Sequence, residues 1–249
     1  MPELPEVEIA RRTLAEGALH RTIVAVDDSD DWVCRPHEPG EIAGALTGRQ
    51  FTEAHRCGKS MWVHSGGATL GLHLGMSGRI VIDAEPAPNS WDRFAVEFEG
   101  GGRMALFDKR RLGRAVLDPD HDDLGPDAAE VDRDTFRERV GRGETPIKAR
   151  LLDQSTVAGI GNLLADEVLF RTSIDPRREA ETLDTTELDA LRRATRAAVR
   201  SALDEGGVHT LAFVIASRDG DGSCPRCEGE LERAKVGGRT TWWCPHDQG

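Results

Sequence analysis

Tyrosine is absent from this 249-residue chain, and there are only five cysteines. No apolar run approaches the ~20 residues of a membrane span. Without tyrosine, no chemical step here can rest on a phenol. The short apolar runs exclude a transmembrane helix, and no signal-peptide pattern opens the chain. Three of the cysteines bunch near the C-terminus, which suits a reducing cytosol better than a disulfide framework. Positive charge is also in deficit. Lys and Arg total 32 against 44 Asp and Glu, a net charge of −12, which argues against a polyanion partner held by overall charge. The deficit is local, however. The stretch 118–134 holds eight acids against Arg133 alone, and Asp27-Asp28-Ser29-Asp30-Asp31 forms a second acidic knot. Between them, Lys109-Arg110-Arg111-Leu112-Gly113-Arg114 is basic. Acids segregated from a basic face leave nucleic-acid binding open, with weakened long-range steering.

What is present reads as an α+β chain in two halves. Val7 to Leu14 continues helically from Pro5, which suits a first helical turn. Strands are expected at Arg21–Val26, at a segment ending near Glu53, and at Ser60–His64, Ala68–Leu74 and Arg79–Ile82. Further strands follow around the alternating Phe94, Val96 and Phe98 and at Met104–Phe107. With glycine turns between them, these predict a β-sandwich carrying the N-terminal helix over residues 1–117. An acidic linker over 118–132 follows, then a helical domain over 133–217 and a cysteine-bearing hairpin over 218–249. The longest predicted helix starts at a capping box of Asp184 and Glu187 and stops at Gly206-Gly207. Leu188, Leu191, Thr195, Ala198 and Ala202 form its inward stripe.

Several stretches carry chemistry. Removal of Met1, permitted by a small second residue, would leave Pro2 as a free secondary amine. Such a group can attack an electrophilic carbon and become a cationic iminium. A free α-amino group has a pKa of about 8, and the positive pole of the helix that follows disfavours an ammonium close by. Glu3 beside it is a candidate general acid or base. Gly58-Lys59 stands at a turn tip, where a lysine is ordinarily just solvated. Val157-Ala158-Gly159-Ile160-Gly161-Asn162 places glycines ahead of a helix, exposing N–H groups as a phosphate seat, although any short Gly-x-Gly also serves as a tight turn. Cys224-Pro225-Arg226-Cys227 and Cys244-Pro245-His246-Asp247 are separated by sixteen residues, a zinc-site spacing with Asp247 where a fourth sulfur belongs. Asp247 and His246 both remain candidates for the fourth ligand, and a metal-free finger is the third possibility.

From its opening residues to this last pair of knuckles, the chain resembles the formamidopyrimidine-DNA glycosylase and endonuclease VIII family of base-excision repair enzymes. The resemblance implies a bifunctional glycosylase and lyase acting on damaged duplex DNA as a cytoplasmic monomer. The expected architecture is an N-terminal β-sandwich, a helix–two-turn–helix domain and a finger holding one structural zinc. It implies catalytic roles for Pro2, Glu3, Lys59 and Arg239. It implies DNA contacts from Glu6, His73, Met76, Arg110, Arg111, Lys148 and Asn162, with Met76 filling the space of a flipped nucleotide and Arg110 facing the orphaned base. Lys148, Asn162 and Arg111 are expected on phosphates. Cys224, Cys227, Cys244 and Asp247 are the implied zinc ligands. Leu112 and Leu164 stand where relatives commonly carry aromatics, and Trp91 stands where a DNA-contacting histidine is frequent. The short stretch between Gly207 and Cys224 leaves little room for a lesion-capping loop. Formamidopyrimidines, oxidised pyrimidines and abasic sites are therefore favoured over 8-oxoguanine, and a non-catalytic binder of damaged DNA is the alternative.

Overall fold

The computed structural model describes residues 2–83, 89–218 and 220–249. Met1, whose removal the proposed chemistry needs, lies outside them. The chain divides into two compact units, one of Val7–His121 with Pro2, the other of Asp122–Gly249 with Glu3–Glu6.

The first unit contains most of α1 (Leu4–Ala18), whose Val7, Ala10, Leu14 and Ala18 are buried. Then come β1 (Ile23–Asp27), α2 (Asp31–Cys34), α3 (Glu41–Leu46), β2 (Glu53–Cys57), β3 (Ser60–His64), β4 (Thr69–His73), β5 (Arg79–Asp83), β6 (Asp92–Phe98), β7 (Arg103–Phe107) and β8 (Arg114–Leu117). They form two four-stranded antiparallel sheets, ordered β1-β6-β7-β5 and β2-β3-β4-β8. Met61, Val63, Leu70 and Leu72 from one sheet share a core with Ile23, Val96, Phe98, Met104 and Leu106 from the other, which makes the pair a sandwich. The strand expected to end near Glu53 instead begins there, and β8 was not anticipated at all. Both are edge strands; β2 carries Glu53, His55 and Arg56, and β8 is only four residues long, so the two-residue alternation that marks an inner strand is weak in them.

Glu8 ties α1 to β2. Its carboxylate accepts hydrogen bonds from Arg11 and Arg12 at 2.9 Å and from Arg56 at 3.3 Å. Burial alone would raise its pKa, but those three guanidinium groups outweigh it and hold the carboxyl at about 2, below its usual 4.5. A depressed folded-state pKa contributes stability that is fully present above the unfolded value and lost as pH falls toward the folded one. Acid unfolding of wild type should therefore include a component between about pH 4.5 and 2. Circular dichroism on Glu8→Gln should show lower stability at neutral pH and no such component.

The second unit contains α4 (Arg133–Val140), α5 (Ile147–Leu152), α6 (Asn162–Arg171), α7 (Thr185–Glu205), α8 (Ala212–Arg218) and a hairpin of β9 (Glu232–Val236) with β10 (Arg239–Trp243). On α7 the capping box of Asp184 and Glu187 is formed, the helix ends at left-handed Gly206, and the stripe from Leu188 to Ala202 is buried together with Val199. The acidic stretch does not run as a bare linker. Ala128 and Val131 enter the helical core, and Ala128 N–H donates to the Ala158 carbonyl at 2.9 Å. Two small apolar residues among acids carry little signal in a sequence. No helix among the described residues is long and apolar enough to cross a membrane.

Candidate nucleic-acid interface and finger

In the first unit, β2 and β3 are joined through Gly58-Lys59 alone, with Gly58 at φ +57°. So short a turn puts Lys59 at a hairpin tip. Its ammonium acts on His73, at the end of β4. Burial and then the nearby Lys59 charge keep the His73 imidazole below its usual pKa, although part of the ring remains exposed to solvent. His73 Nδ1 accepts the Gly75 N–H at 3.0 Å, so the neutral ring carries its proton on Nε2, a donor suited to a phosphate oxygen.

The two loops proposed as wedges are built on one buried carboxylate. Asp108, fully buried, accepts the N–H groups of Arg110 at 3.0 Å and of Leu112 and Gly113 at 2.7 Å, and the Ser77 hydroxyl at 3.4 Å. Gly75 is also pressed against the Leu112 backbone, where a Cβ would come within 2.4 Å of the carbonyl carbon. Thus Met76 and Leu112, exposed by 42% and 39%, project from loops that are locked together. Large apolar side chains held at the surface in this way have the size and rigidity that insertion between bases requires. Arg110 is exposed. Arg111 is committed elsewhere, at φ +53° with its guanidinium on Asp30 at 2.7 and 3.0 Å and on Asp31 at 3.3 Å. A phosphate would have to displace those carboxylates. Trp91 lies under the Lys109 ammonium at 4.3 Å.

In the second unit, the start of the chain is fastened to α6. The Glu3 carboxylate accepts N–H groups from Gly161 at 2.9 Å, Leu163 at 2.8 Å and Leu164 at 3.0 Å, filling the positive end of that helix. Gly161 is required for this approach, since a Cβ there would fall 2.2 Å from the Glu3 carboxyl carbon. Glu6 accepts the Glu3 N–H at 2.9 Å and the Val208 N–H at 2.7 Å. Glu6 is thus a clasp of the chain's opening.

Lys148 departs from the surface role expected of it. It is fully buried, with Nζ 2.6 Å from Asp166 and 2.7 Å from the Thr241 hydroxyl. No phosphate can reach it without opening that pair. Burial pushes the Lys148 pKa down and that of Asp166 up to about 6, each partner's charge partly offsetting the other's burial. Asn162 donates Nδ2–H to the Thr240 carbonyl at 3.0 Å, while its Oδ1 is buried without a partner among the described residues. Arg239 follows the turn Gly237-Gly238, both at positive φ, and is exposed at the hairpin tip.

The finger brings the Cys224, Cys227 and Cys244 sulfurs within 4.8 Å of one another, with Cys227 and Cys244 at 3.5 Å. Two thiolates on one tetrahedral zinc stand about 3.8 Å apart, so the three fit a single structural ion that would pin the two knuckles together. Neither Asp247 nor His246 joins that group. Phe170 and Phe213, stacked at 4.2 Å, pack with Cys224, Leu231 and Cys244 beneath it. Asp108 and Asp166 carry weaker signals in the sequence. Asp108 heads the Lys-Arg-Arg run with acceptors spaced as in an Asx turn, which was a usable signal; Asp166 lies one helical turn after Asn162.

Comparison with known proteins places this arrangement. Residues 1–115 match the formamidopyrimidine-DNA glycosylase N-terminal domain, residues 124–213 the H2TH domain of formamidopyrimidine-DNA glycosylase, and residues 224–248 the zinc finger found in FPG and IleRS. The chain is 34% identical over 282 residues to a formamidopyrimidine-DNA glycosylase of Nocardioides sp., covering 98% of this chain and 93% of the relative. Identity to that of Chloroflexus aggregans is 35% over 273 residues, 98% of each. The solved Lactococcus lactis formamidopyrimidine DNA glycosylase, non-covalently bound to DNA containing an AP site, is similar with a TM-score of 0.87 at 28% identity over 99% of both chains. Its complex with DNA containing FAPY-dG gives 0.85 at 28% identity, again over 99% of both.

Proposed function

This chain belongs to the formamidopyrimidine-DNA glycosylase family, and on that premise we propose how its own residues carry out excision. It is a base-excision repair DNA glycosylase whose partner is damaged double-stranded DNA. The observation that carries the residue-level reading is the seating of Glu3 on three N–H groups of α6, because it builds the chain's opening into the fold.

The Pro2 amine attacks C1′ of the damaged nucleoside. The C1′–N bond breaks, its electron pair leaves with the base, and Lys59 supplies the proton. The Pro2 nitrogen sheds its proton, the C1′–O4′ bond breaks as O4′ takes one up, and an iminium is left between Pro2 and C1′. Glu3 holds the nucleophile in place and stands nearest to assist the proton transfers of ring opening. Removal of a C2′ proton then expels the 3′ phosphate, with Arg239 on the leaving oxygens, and water releases Pro2. His73, Asn162 and Arg239 grip phosphates, while Met76 and Arg110 enter the duplex to replace the flipped nucleotide. The zinc holds the finger's fold and takes no part in bond cleavage. The setting is the cytoplasm, where the DNA lies.

The stretch after Gly207 is spent largely on a short 3-10 turn at Val208–Thr210 and on α8. That supports a preference for formamidopyrimidines, oxidised pyrimidines and abasic sites over 8-oxoguanine. Sodium borohydride should trap wild type on formamidopyrimidine duplex, with nicking at least about tenfold faster there than on 8-oxoguanine, a difference of about 1.4 kcal/mol in barrier. Equal rates on both would remove the assigned preference. Binding without nicking or trapping on any lesion would leave a damage-binding protein.

A further inference from the structure

The sequence spacing puts Asp247 at the fourth ligand position of the finger, but its carboxylate is occupied otherwise. Asp247 Oδ2 lies 2.5 Å from the Arg226 guanidinium and accepts the Ser173 hydroxyl at 3.3 Å. Arg226 belongs to the first knuckle and Asp247 to the second, so the pair joins the same two turns that a zinc ion would join. The guanidinium is itself fixed from several sides. It donates to Ser173 Oγ at 3.0 Å and to the Arg171 carbonyl at 3.2 Å, and it lies 4.1 Å over the Phe170 ring. Gln248 adds a second tie: its side chain accepts the Cys244 N–H and donates to the Ile174 carbonyl, both at 2.9 Å. His246 is exposed and lies across Gly229 from the Cys227 sulfur. A Cβ on Gly229 would stand 3.2 Å from the His246 ring and 3.3 Å from that sulfur.

We propose that Asp247 serves as an ion-pair clamp with Arg226 and not as a metal ligand. The finger's zinc is then held by Cys224, Cys227 and Cys244 with an exchangeable solvent molecule in the fourth position, and the knuckles stay closed when the metal leaves. The charge balance agrees with this division of labour. Oδ2 takes one guanidinium nitrogen and the Ser173 hydroxyl, while the other terminal nitrogen is spent on the Arg171 carbonyl, so a charge-assisted bond at a partly shielded site already engages that carboxylate oxygen. Three thiolates without a fourth protein ligand bind zinc more weakly than four and leave the ion open to added ligands. A clamp that does not depend on metal compensates for that weakness.

Cobalt substitution of the full chain tests the ligand set without reference to catalysis. Loaded with Co²⁺, wild type should show thiolate charge-transfer and visible d–d bands that shift when azide is added. Asp247→Ala should give the same bands and the same one-to-one metal content. A changed spectrum in fully cobalt-loaded Asp247→Ala would make Asp247 a ligand and overturn the proposal. A changed spectrum in His246→Ala would place imidazole at the fourth position and overturn the solvent-exchangeable site. The clamp has its own readout in chelator-treated protein, using the fluorescence of Trp242 and Trp243. Arg226→Ala and Asp247→Ala should each loosen the metal-free finger, and the double variant should be no looser than either. Fully additive effects would show that the two side chains do not act as a pair. Asp247→Cys should tighten zinc at least about tenfold by completing a four-thiolate set, while loosening the metal-free finger as Asp247→Ala does.

Discussion

A chain that keeps Met1, or carries any residue ahead of Pro2, should leave damaged duplex uncut and form no borohydride-stable complex. In such a chain the Pro2 nitrogen is an amide, its lone pair delocalised into the carbonyl, and it can no longer attack C1′. Removing a nucleophile from an enzyme that works through a covalent intermediate costs roughly four to six orders of magnitude in rate. Duplex affinity should change little, because the proposed phosphate contacts of His73, Asn162 and Arg239 are distant in sequence from the terminus and do not require the amine. Pro2→Gly in a properly processed chain is the sharper control. It retains a free amine, now primary and unconstrained, and should trap weakly where the blocked chain does not trap at all. Intact-mass measurement of each preparation, followed by gel assays of nicking and trapping, decides the matter. Full-rate cleavage by a chain shown to retain Met1 would assign the covalent step to another group.

Lys148→Met should cost the second unit about 3–5 kcal/mol, because it strands the Asp166 carboxylate in a buried site. In a domain of this size that corresponds to roughly 6–20 °C in Tm. Methionine matches the lysine stem in length, so lost packing contributes little, and the deficit comes from the unpaired buried Asp166 charge and the loss of the Lys148 hydrogen bond to the Thr241 hydroxyl, which keeps its own bond to the Arg239 carbonyl. The double variant Lys148→Met, Asp166→Leu should recover most of the loss, since replacing both members of a buried pair by apolar groups is commonly near neutral. Calorimetry on the two variants checks this. An exposed phosphate-binding lysine would behave in the opposite way, with unchanged Tm, weaker DNA binding and a shallower salt dependence.

These two residues mark the limits of what could be read from the chain. Pro2, Gly58-Lys59, the Gly-x-Gly ahead of α6 and the Cys-x-x-Cys knuckle are legible because each is a short-range pattern whose chemistry depends on neighbours in sequence. The inner strands and α7 are legible for the same reason: alternation, a capping box and a terminal glycine are local signals. The edge strands β2 and β8 are hard to read because polar residues hide the alternation in β2 and four residues are too few to show one in β8.

By itself the sequence determined the succession of a β-rich half and a helical half, the inner strands, the inward stripe of α7 and the inventory of reactive groups. Tertiary structure alone decided which of those groups are free to act. Glu3 finds the end of α6 from about 160 residues away; Lys148 is withdrawn from the surface by Asp166; Asp108 organises two loops; Asp247 turns to Arg226 and away from the thiols. A carboxylate or ammonium pairs with whatever the returning chain brings within about 3 Å, and that distance depends on the packing of whole elements, which no window of neighbouring residues contains.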